Sequence, residues 1–430
     1  MGRISNSEAL ASTPERAAAL AIAEAGLAAI DTRTVIERHV SVGAEGIELA
    51  GEFHAWGSYD RLLVAGVGKC ALDAAYALEE LLGDRIDDGV VVDVRCDSGV
   101  LSRIRSCEGT HPYPSAENIG HTRALLTLLE SATERDLVLL IVSGGGSTLL
   151  CQPKTHTCES EEDLIHALFR CGATIAELNT VRKHLSLARG GGLAAAAHPA
   201  RLTALIFSDV PGDDLATISS GPTVRDESTI EDARAVLARF SCEGIDLPED
   251  ALFETPKDPV RFSTTRNVLA LTNRTALEAM AEAARAAGYE AQIVTATLTG
   301  DAEVVARNLC SELSEMSPGS VHLYGGETTV EVQGDGDGGR NQHLALAALP
   351  CIPPSGLLLT LASDGCDKGA HAGAIADAVT RRAAQQAGCD PEDFRARSDS
   401  YTFFHRVHQG LTSGYTGSNV ADLSILLTSH

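Results

Sequence analysis

Residues 136–150, DLVLLIVSGGGSTLL, restrict the fold of this chain more than any other stretch. The apolar run 137–142 shows no polar alternation, so it reads as a strand covered on both faces, as in parallel sheets flanked by helices. It is far too short to cross a bilayer. The run passes straight into Ser143-Gly144-Gly145-Gly146-Ser147, and a helix is expected to follow. Glycine permits positive φ and leaves the main-chain N–H groups bare. With two hydroxyls at a helix start, such a turn forms a cradle suited to phosphate or carboxylate. A purely structural turn is the alternative. The Lys-Ser/Thr ending of a Walker A loop is missing, and neither serine has the glycine spacing of a nucleophile elbow.

The junction of strand and glycine turn recurs along the chain. Residues 61–100 read as strand, turn, amphipathic helix and second buried strand. Gly66, Gly68 and Ala71 match G-x-G-x-x-A, and Asp93 ends the second strand, where a ribose-binding acid would sit. Lys69, inside that turn, is placed to meet a phosphoryl oxygen. Residues 109–118 (GTHPYPSAEN) form a proline-stiffened connection carrying His111, ahead of a helix over 121–130. In 179–196, Arg182, Lys183, Ser186 and Arg189 are spaced to lie on one helix. Residues 202–223 are again strand then loop, with Asp209 at the strand's carboxyl end and Asp213 and Asp214 after a Pro-Gly turn. Such carboxylates are expected seats for Mg²⁺, although aspartates also favour turns for their own hydrogen bonding.

The second half carries its own cluster at 324–344, YGGETTVEVQGDGDGGRNQHL. Gly325, Gly326 and Glu327 precede a short alternating strand expected at 328–332; a second glycine run then leads to Arg340, Asn341 and Gln342 at the mouth of an apolar helix. Bare backbone, a helix start and a fixed guanidinium favour phosphate or carboxylate. Further on, the strand GLLLTLAS runs into Asp364-Gly365-Cys366-Asp367 before a helix expected over 373–387. Asn419 and Asp422 stand in a turn ahead of the last strand.

A chain of 430 residues exceeds one ordinary core, and two α/β domains are expected. Residues 225–265 are rich in charge and proline and lack a long apolar period, which places the boundary there and gives domains 1–255 and 256–430. The formal net charge of −25 disfavours a nucleic-acid partner and requires a local basic pocket for any anionic substrate. Eleven cysteines without a C-x-x-C spacing suit reduced thiols in a cytoplasmic protein better than a disulfide framework or a zinc site. Residues 1–30 interleave acids and alanines as an amphipathic helix does, not as a signal peptide, and no membrane partner is expected. The sequence leaves the oligomeric state open, a homodimer included.

Glycine turns at strand ends, carboxylates beside them and a few isolated cations suit phosphoryl transfer, which asks a protein mainly for positioning and charge neutralisation. The segments GVGKCA, SGGGSTLL, VRKHLS, SDVPGDD, SSGPTV, GGETTVEV, GGRNQ and SDGCD, in this order, resemble the class II glycerate 2-kinase family with its C-terminal MOFRL domain. The resemblance runs from about residue 15 to the C terminus, with the MOFRL region at about 318–428. It implies a Rossmann-like three-layer N-terminal domain and a smaller C-terminal domain facing across a cleft. It also implies ATP- and Mg²⁺-dependent phosphorylation of the 2-hydroxyl of D-glycerate, a small hydroxy acid.

The family's key lysine and arginine fall on Lys69 and Arg340. Asp209 is the expected third catalytic group, and with Asp213 the seat of Mg²⁺. Residues 143–147, Arg182, Lys183, Asp213, Gly325, Gly326, Glu327, Asn341, Gln342, Asp364 and Asn419 are the expected contacts to phosphate or substrate. The chain departs from the family pattern after Asp367, where KGAHAGA brings in Lys368 and His371, and at Ser115, Arg189, Gly192 and Tyr415. These changes bear on the acceptor, leaving open a hydroxy acid larger or more anionic than glycerate. Two other readings stay open: an NAD(P)-dependent hydroxypyruvate reductase, from the G-x-G-x-x-A turn with Asp93, and a non-catalytic phosphosugar-binding module, for which the SGGGST turn alone suffices.

Overall fold

The computed structural model describes residues 2–240, 248 and 250–430; residues 241–247 and 249, within the stretch where the sequence places the boundary, lie outside the described residues. The chain divides into two compact units, one of Thr32–Ala270 and one that joins Met1–Asp31 to Leu271–His430.

In the first unit a small antiparallel sheet, β1 (Val40–Val42), β2 (Gly46–Leu49) and β3 (Glu52–Ala55), precedes the main one. The main sheet comprises β4 (Leu62–Val67), β5 (Asp88–Asp93), β6 (Ile104–Glu108), β7 (Leu137–Ser143), β8 (Arg201–Phe207) and β9 (Thr265–Leu271), in the order β6-β5-β4-β7-β8-β9. From β6 to β8 every neighbour is parallel. All of β4 and β7 is buried, which is why their sequences are continuous apolar runs. The chain proceeds from β4 outward to β5 and β6, then returns to lay β7 on the other side of β4. The carboxyl ends of β4 and β7 therefore flank a topological switch point, where open α/β sheets bind ligands.

The second unit holds β10 (Glu290–Asp301), β11 (Ser320–Thr329), β12 (Gly356–Ala362), β13 (Gly373–Asp377), β14 (Gly410–Leu411) and β15 (Asp422–Thr428), in the order β10-β11-β15-β12-β13-β14. Only β10 and β11 pair in parallel. Because β15 runs antiparallel between β11 and β12, its first residue, Asp422, lies opposite both Gly326 and Ala362.

The packing division differs from the expected 1–255 and 256–430. Helix Pro14–Ala29 joins the second unit because it packs on helix Asn273–Ala286, with Gly26 against Met280. Arg16, 1% exposed, donates Nε and Nη2 to the two carboxylate oxygens of Asp377 at 2.7 Å each. Removing either member of such a buried pair strands the other charge, at roughly 3–5 kcal/mol.

Three local expectations change as well. The strand expected at 328–332 ends at Thr329 and begins earlier, at Ser320, taking the two glycines into the sheet. Residues 373–387 split into strand β13 and helix Ala378–Ala387, with Asp377 accepting from Thr380 N at 2.9 Å at the helix start. The alanines of GAIAD favour helix locally, but pairing with β12 in the buried sheet overrides that preference. Cys310, on helix Ala302–Glu315, is bonded to Cys351, just past helix Arg340–Ala348, so the thiols are not all reduced. The two helices pack together, and a separation of 41 residues carries no spacing signal. No helix among the described residues is long and apolar enough to cross a membrane.

Candidate active site

At the switch point two glycine turns are bound to each other. Gly68 has φ +115°, and a Cβ there would lie 2.2 Å from Ser143 Oγ, so the turn accepts only glycine. Lys69 N donates to Gly144 O at 2.9 Å, fixing the lysine to the second turn. Gly145 is left-handed, and Gly146–Leu149 forms one helical turn. Around the three bare Cα atoms gather groups from four other segments. Asp209 Oδ2 lies 2.0 Å from where a Gly144 Cβ would stand. Lys69 Cγ and the His111 ring lie 3.2 and 3.4 Å from that position on Gly145, and Ser219 Oγ 2.4 Å from that on Gly146. Ser219, Ser220 and Gly221 all have positive φ, a costly conformation for serine. It is held by Ser219 Oγ donating to Ser143 O at 2.6 Å and Ser220 Oγ to Ser147 Oγ at 2.9 Å.

Two cations act on the His111 ring. Burial, then the charge of Arg189, holds the Arg182 guanidinium below its usual range, so its charge is poorly compensated. Desolvation of the ring, then Lys69 and Arg182, lowers His111, although the residue's exposed surface lets solvent temper the effect. Arg182 and Ser147 border a cavity of about 300 Å³ whose far wall includes Tyr113, Ile165 and Phe169.

In the second unit Arg340 opens its helix and is held by carboxylates: Nε and Nη2 donate to Asp422 at 2.6 and 3.0 Å, and Nη1 pairs with Glu327 at 2.6 Å. Burial pushes the Asp422 carboxyl up to about 6 even with the guanidinium against it. Burial opposes the charge on Arg340, yet Asp422 and Glu327 outweigh it and raise its pKa. Asp367 caps the same helix, accepting from Asn341 N at 2.9 Å and Gln342 N at 3.0 Å and from both side-chain amides. Gly325 packs against Asn273, whose amide donates to Val420 O at 2.6 Å. Asp364 accepts from Cys366 N and Asn419 from Ala421 N, each at 2.9 Å, shaping the neighbouring loops.

The structure thus brings Lys69, residues 143–147 and Asp209 together in one unit, with Arg182 and Ser147 sharing a cavity wall. It gathers Gly325, Gly326, Glu327, Arg340, Asn341, Gln342, Asp364 and Asn419 at one end of the other sheet. Lys183 goes elsewhere, paired with buried Asp226 at 3.2 Å. The helix expected to carry all four residues stops short: it is Ile175–Lys183, Ser186 Oγ donates to Leu150 O, and Arg189 pairs with buried Glu161 at 2.6 Å. Asp213 sits in a tight turn at φ +55°, while Asp214 accepts from Ala216 N and Thr217 Oγ1 and shapes that turn.

Asp93 does not face a ribose site: fully buried, it accepts from Leu72 N at 2.9 Å and caps the helix after Lys69. No group of three or more His, Cys, Asp or Glu able to hold a metal occurs among the described residues. Sequence reading missed the clamp of Asp422 on Arg340, since only a lone aspartate before an apolar strand marks it, and it missed Ser219 and Ser220 in SSGPT.

Two glycine turns joined at a switch point, with Lys69 against Gly145, form an α/β arrangement of a kind suited to anionic groups. A profile described as a domain of unknown function (DUF4147) matches residues 18–253, and the MOFRL family profile matches 320–422. A D-glycerate 2-kinase from Thermotoga maritima is 37% identical over 380 residues, 85% of this chain and 90% of that protein. A relative from Agrobacterium vitis, 36% identical over 388 residues (85% of this chain, 87% of its own length), carries a provisional hydroxypyruvate reductase name. A crystal structure of a Thermotoga maritima glycerate kinase matches with a TM-score of 0.86 at 33% identity, covering 96% of this chain and 99% of that one. The chain belongs to the class II glycerate 2-kinase family.

Proposed function

We propose that this protein transfers the γ-phosphoryl group of ATP to the 2-hydroxyl of D-glycerate, giving 2-phosphoglycerate and ADP. The observation that carries the reading is the convergence of Lys69 and Asp209 on Gly144–Gly145 at the β4/β7 switch point, in a chain of this family. Lys69 neutralises charge on the transferring group, and the bare backbone of 143–147 holds anionic oxygens. Arg182, short of compensating charge, takes the acceptor's carboxylate. Asp209 receives the hydroxyl proton.

Arg340 is a phosphate-binding cation of its own unit: Glu327, itself exposed, is the partner it exchanges for a phosphate oxygen, while Asp422 keeps its orientation. Mg²⁺ arriving on nucleotide phosphates needs few protein ligands; Asp209 and Asp213, both in the loop after β8, are the carboxylates that would hold it, and it would supply charge neutralisation. The altered segment after Asp367 is tied back to the glycine loop by Lys368 to Asp337 at 3.0 Å and to Gln342 by His371 at 3.1 Å, so the acceptor is screened among small hydroxy acids.

The reading predicts ADP release that depends on D-glycerate, with product phosphate on C2 by NMR. Nicotinamide oxidation with hydroxypyruvate and no ADP release would overturn it in favour of the reductase, a reading weakened by the capping role of Asp93.

A further inference from the structure

Cys151 follows the Gly146–Leu149 turn by two residues, and Cys158 is the first residue of the helix Cys158–Arg170. Both are buried, at 0% and 2% exposure, and their sulfurs are 3.1 Å apart. Nothing fits between them, and a shift of about 1 Å reaches the disulfide S–S length of about 2.05 Å. The site is built around the pair: Cys158 Sγ donates to Ser115 O at 3.2 Å, and Cys151 Sγ lies 3.8 Å from Glu161 Oε2, itself fixed by Arg189. Thr157 and Ser160 form a capping box that sets the helix start at Cys158. A thiol at a helix N-terminus favours the thiolate, the reactive form.

We propose that Cys151 and Cys158 are an oxidisable dithiol, converted by hydrogen peroxide into an intramolecular disulfide that pins the glycine turn to the neighbouring helix. Cys158 sulfur attacks a peroxide oxygen; the S–O bond forms, the O–O bond breaks, and the hydroxide released takes the thiol proton and leaves as water. Cys151 sulfur then attacks the Cys158 sulfenic acid; the S–S bond forms, the S–O bond breaks, and a second water leaves carrying the Cys151 proton. Two thiols and one peroxide thus give one disulfide and two waters, and a dithiol reductant reverses the change by exchange. The bond links both walls of the cavity, since Ser147 and Thr148 lie just before Cys151, while Glu161, Ile165 and Phe169 lie on the helix that Cys158 begins.

The test uses the full chain with Cys96→Ser, Cys171→Ser and Cys366→Ser, which removes the exposed free thiols among the described residues, and with Cys242→Ser, which removes the thiol outside them. After peroxide treatment, alkylation and tryptic cleavage at Lys154, peptides 136–154 and 155–170 are expected as one disulfide-linked species that dithiothreitol separates. If both peptides are recovered separately alkylated, or Cys158 goes on to sulfinic acid without linking, the proposal fails. A second arm rests on the kinase reading: ATP turnover falls as the linked species forms, and Cys158→Ser abolishes that loss. Equal peroxide loss in Cys158→Ser overturns the coupling to the cavity. Should that variant fail to fold, or no turnover be seen at all, the linked peptides still decide whether the dithiol exists.

Discussion

The two basic centres are built on opposite plans. Lys69 rises from one glycine turn, is bonded through its own N–H to another, and lies against the bare backbone of Gly145 beside His111, a ring on which Arg182 also acts. Arg340 is gripped by two carboxylates, one buried and one exposed, at the first turn of a helix that a third carboxylate caps. The first plan fixes its lysine through main-chain bonds and glycine turns, which do not need the side chain. The second spends most of the arginine's donors on holding it still. A lysine is a compact charge on a flexible stem, whereas a guanidinium recognises carboxylates through a planar fork, and each residue type fits its setting.

The sharpest break of this comparison is Lys69→Ala. Removing a cation from a preorganised anion site is expected to lower kcat by about 10²–10³-fold, as for loss of one oxyanion donor. The melting temperature should scarcely change, because the turn is held by main-chain bonds and glycines. Near-normal turnover would remove Lys69 from the reaction.

Arg340→Ala tests the opposite plan and should damage both properties. Asp422 would be left buried without its partner, but it can take a proton and Arg340 is about a third exposed, so the stability loss is expected near 1–3 kcal/mol rather than the full buried-pair value. Turnover should fall as well. Glu327→Gln, which touches only the exposed arm of the clamp, should leave stability within about 0.5 kcal/mol of the parent. A large stability loss in Lys69→Ala with none in Arg340→Ala, by chemical denaturation, would reverse the comparison.

What the sequence discloses follows the same division. β4, β7 and the turns after them are legible because full burial writes a continuous apolar run and close approach demands glycine at Gly68, both local signals. The grip on Arg340 and the pairing of Arg16 with Asp377 span 82 and 361 residues, and no spacing rule links such partners. Local signals also mislead where tertiary bonds take over. Arg182, Ser186 and Arg189 keep a helical spacing, yet Ser186 Oγ donates to Leu150 O and accepts from Gln152 N, and the chain turns away from the helix. The alanines of β13 likewise yield to the ladder with β12.

Gly144→Ala sharpens the account of the Lys69 centre with a smaller effect. A methyl group there would stand 2.0 Å from Asp209 Oδ2, so the carboxylate must swing away while Lys69 keeps its place. Misplacing a reacting group by about 1 Å is expected to reduce kcat by about 10²-fold or less, short of the loss in Lys69→Ala. Gly172→Ala is the control, since nothing lies within 4 Å of that position and its positive φ brings strain alone. Equal kcat in the two variants would separate Asp209 from catalysis.

The smallest effect is a difference in sign. Asp422 is raised from 3.8 to about 6, so between those values the folded chain holds a proton the unfolded chain has lost. Its contribution to stability therefore grows as pH falls through that window and disappears above it. His111 is lowered from 6.5, so on acidification the unfolded chain takes up a proton first and stability falls. Relative to the parent, Asp422→Asn should be more destabilised near pH 5 than near pH 7.5, by about 1–2 kcal/mol on linkage grounds. His111→Gln should instead recover stability on the acidic side, by less, because solvent reaches that ring. Urea unfolding of the three proteins at both pH values measures both slopes. If they share a sign, one of the two centres does not carry the charge balance that distinguishes it from the other.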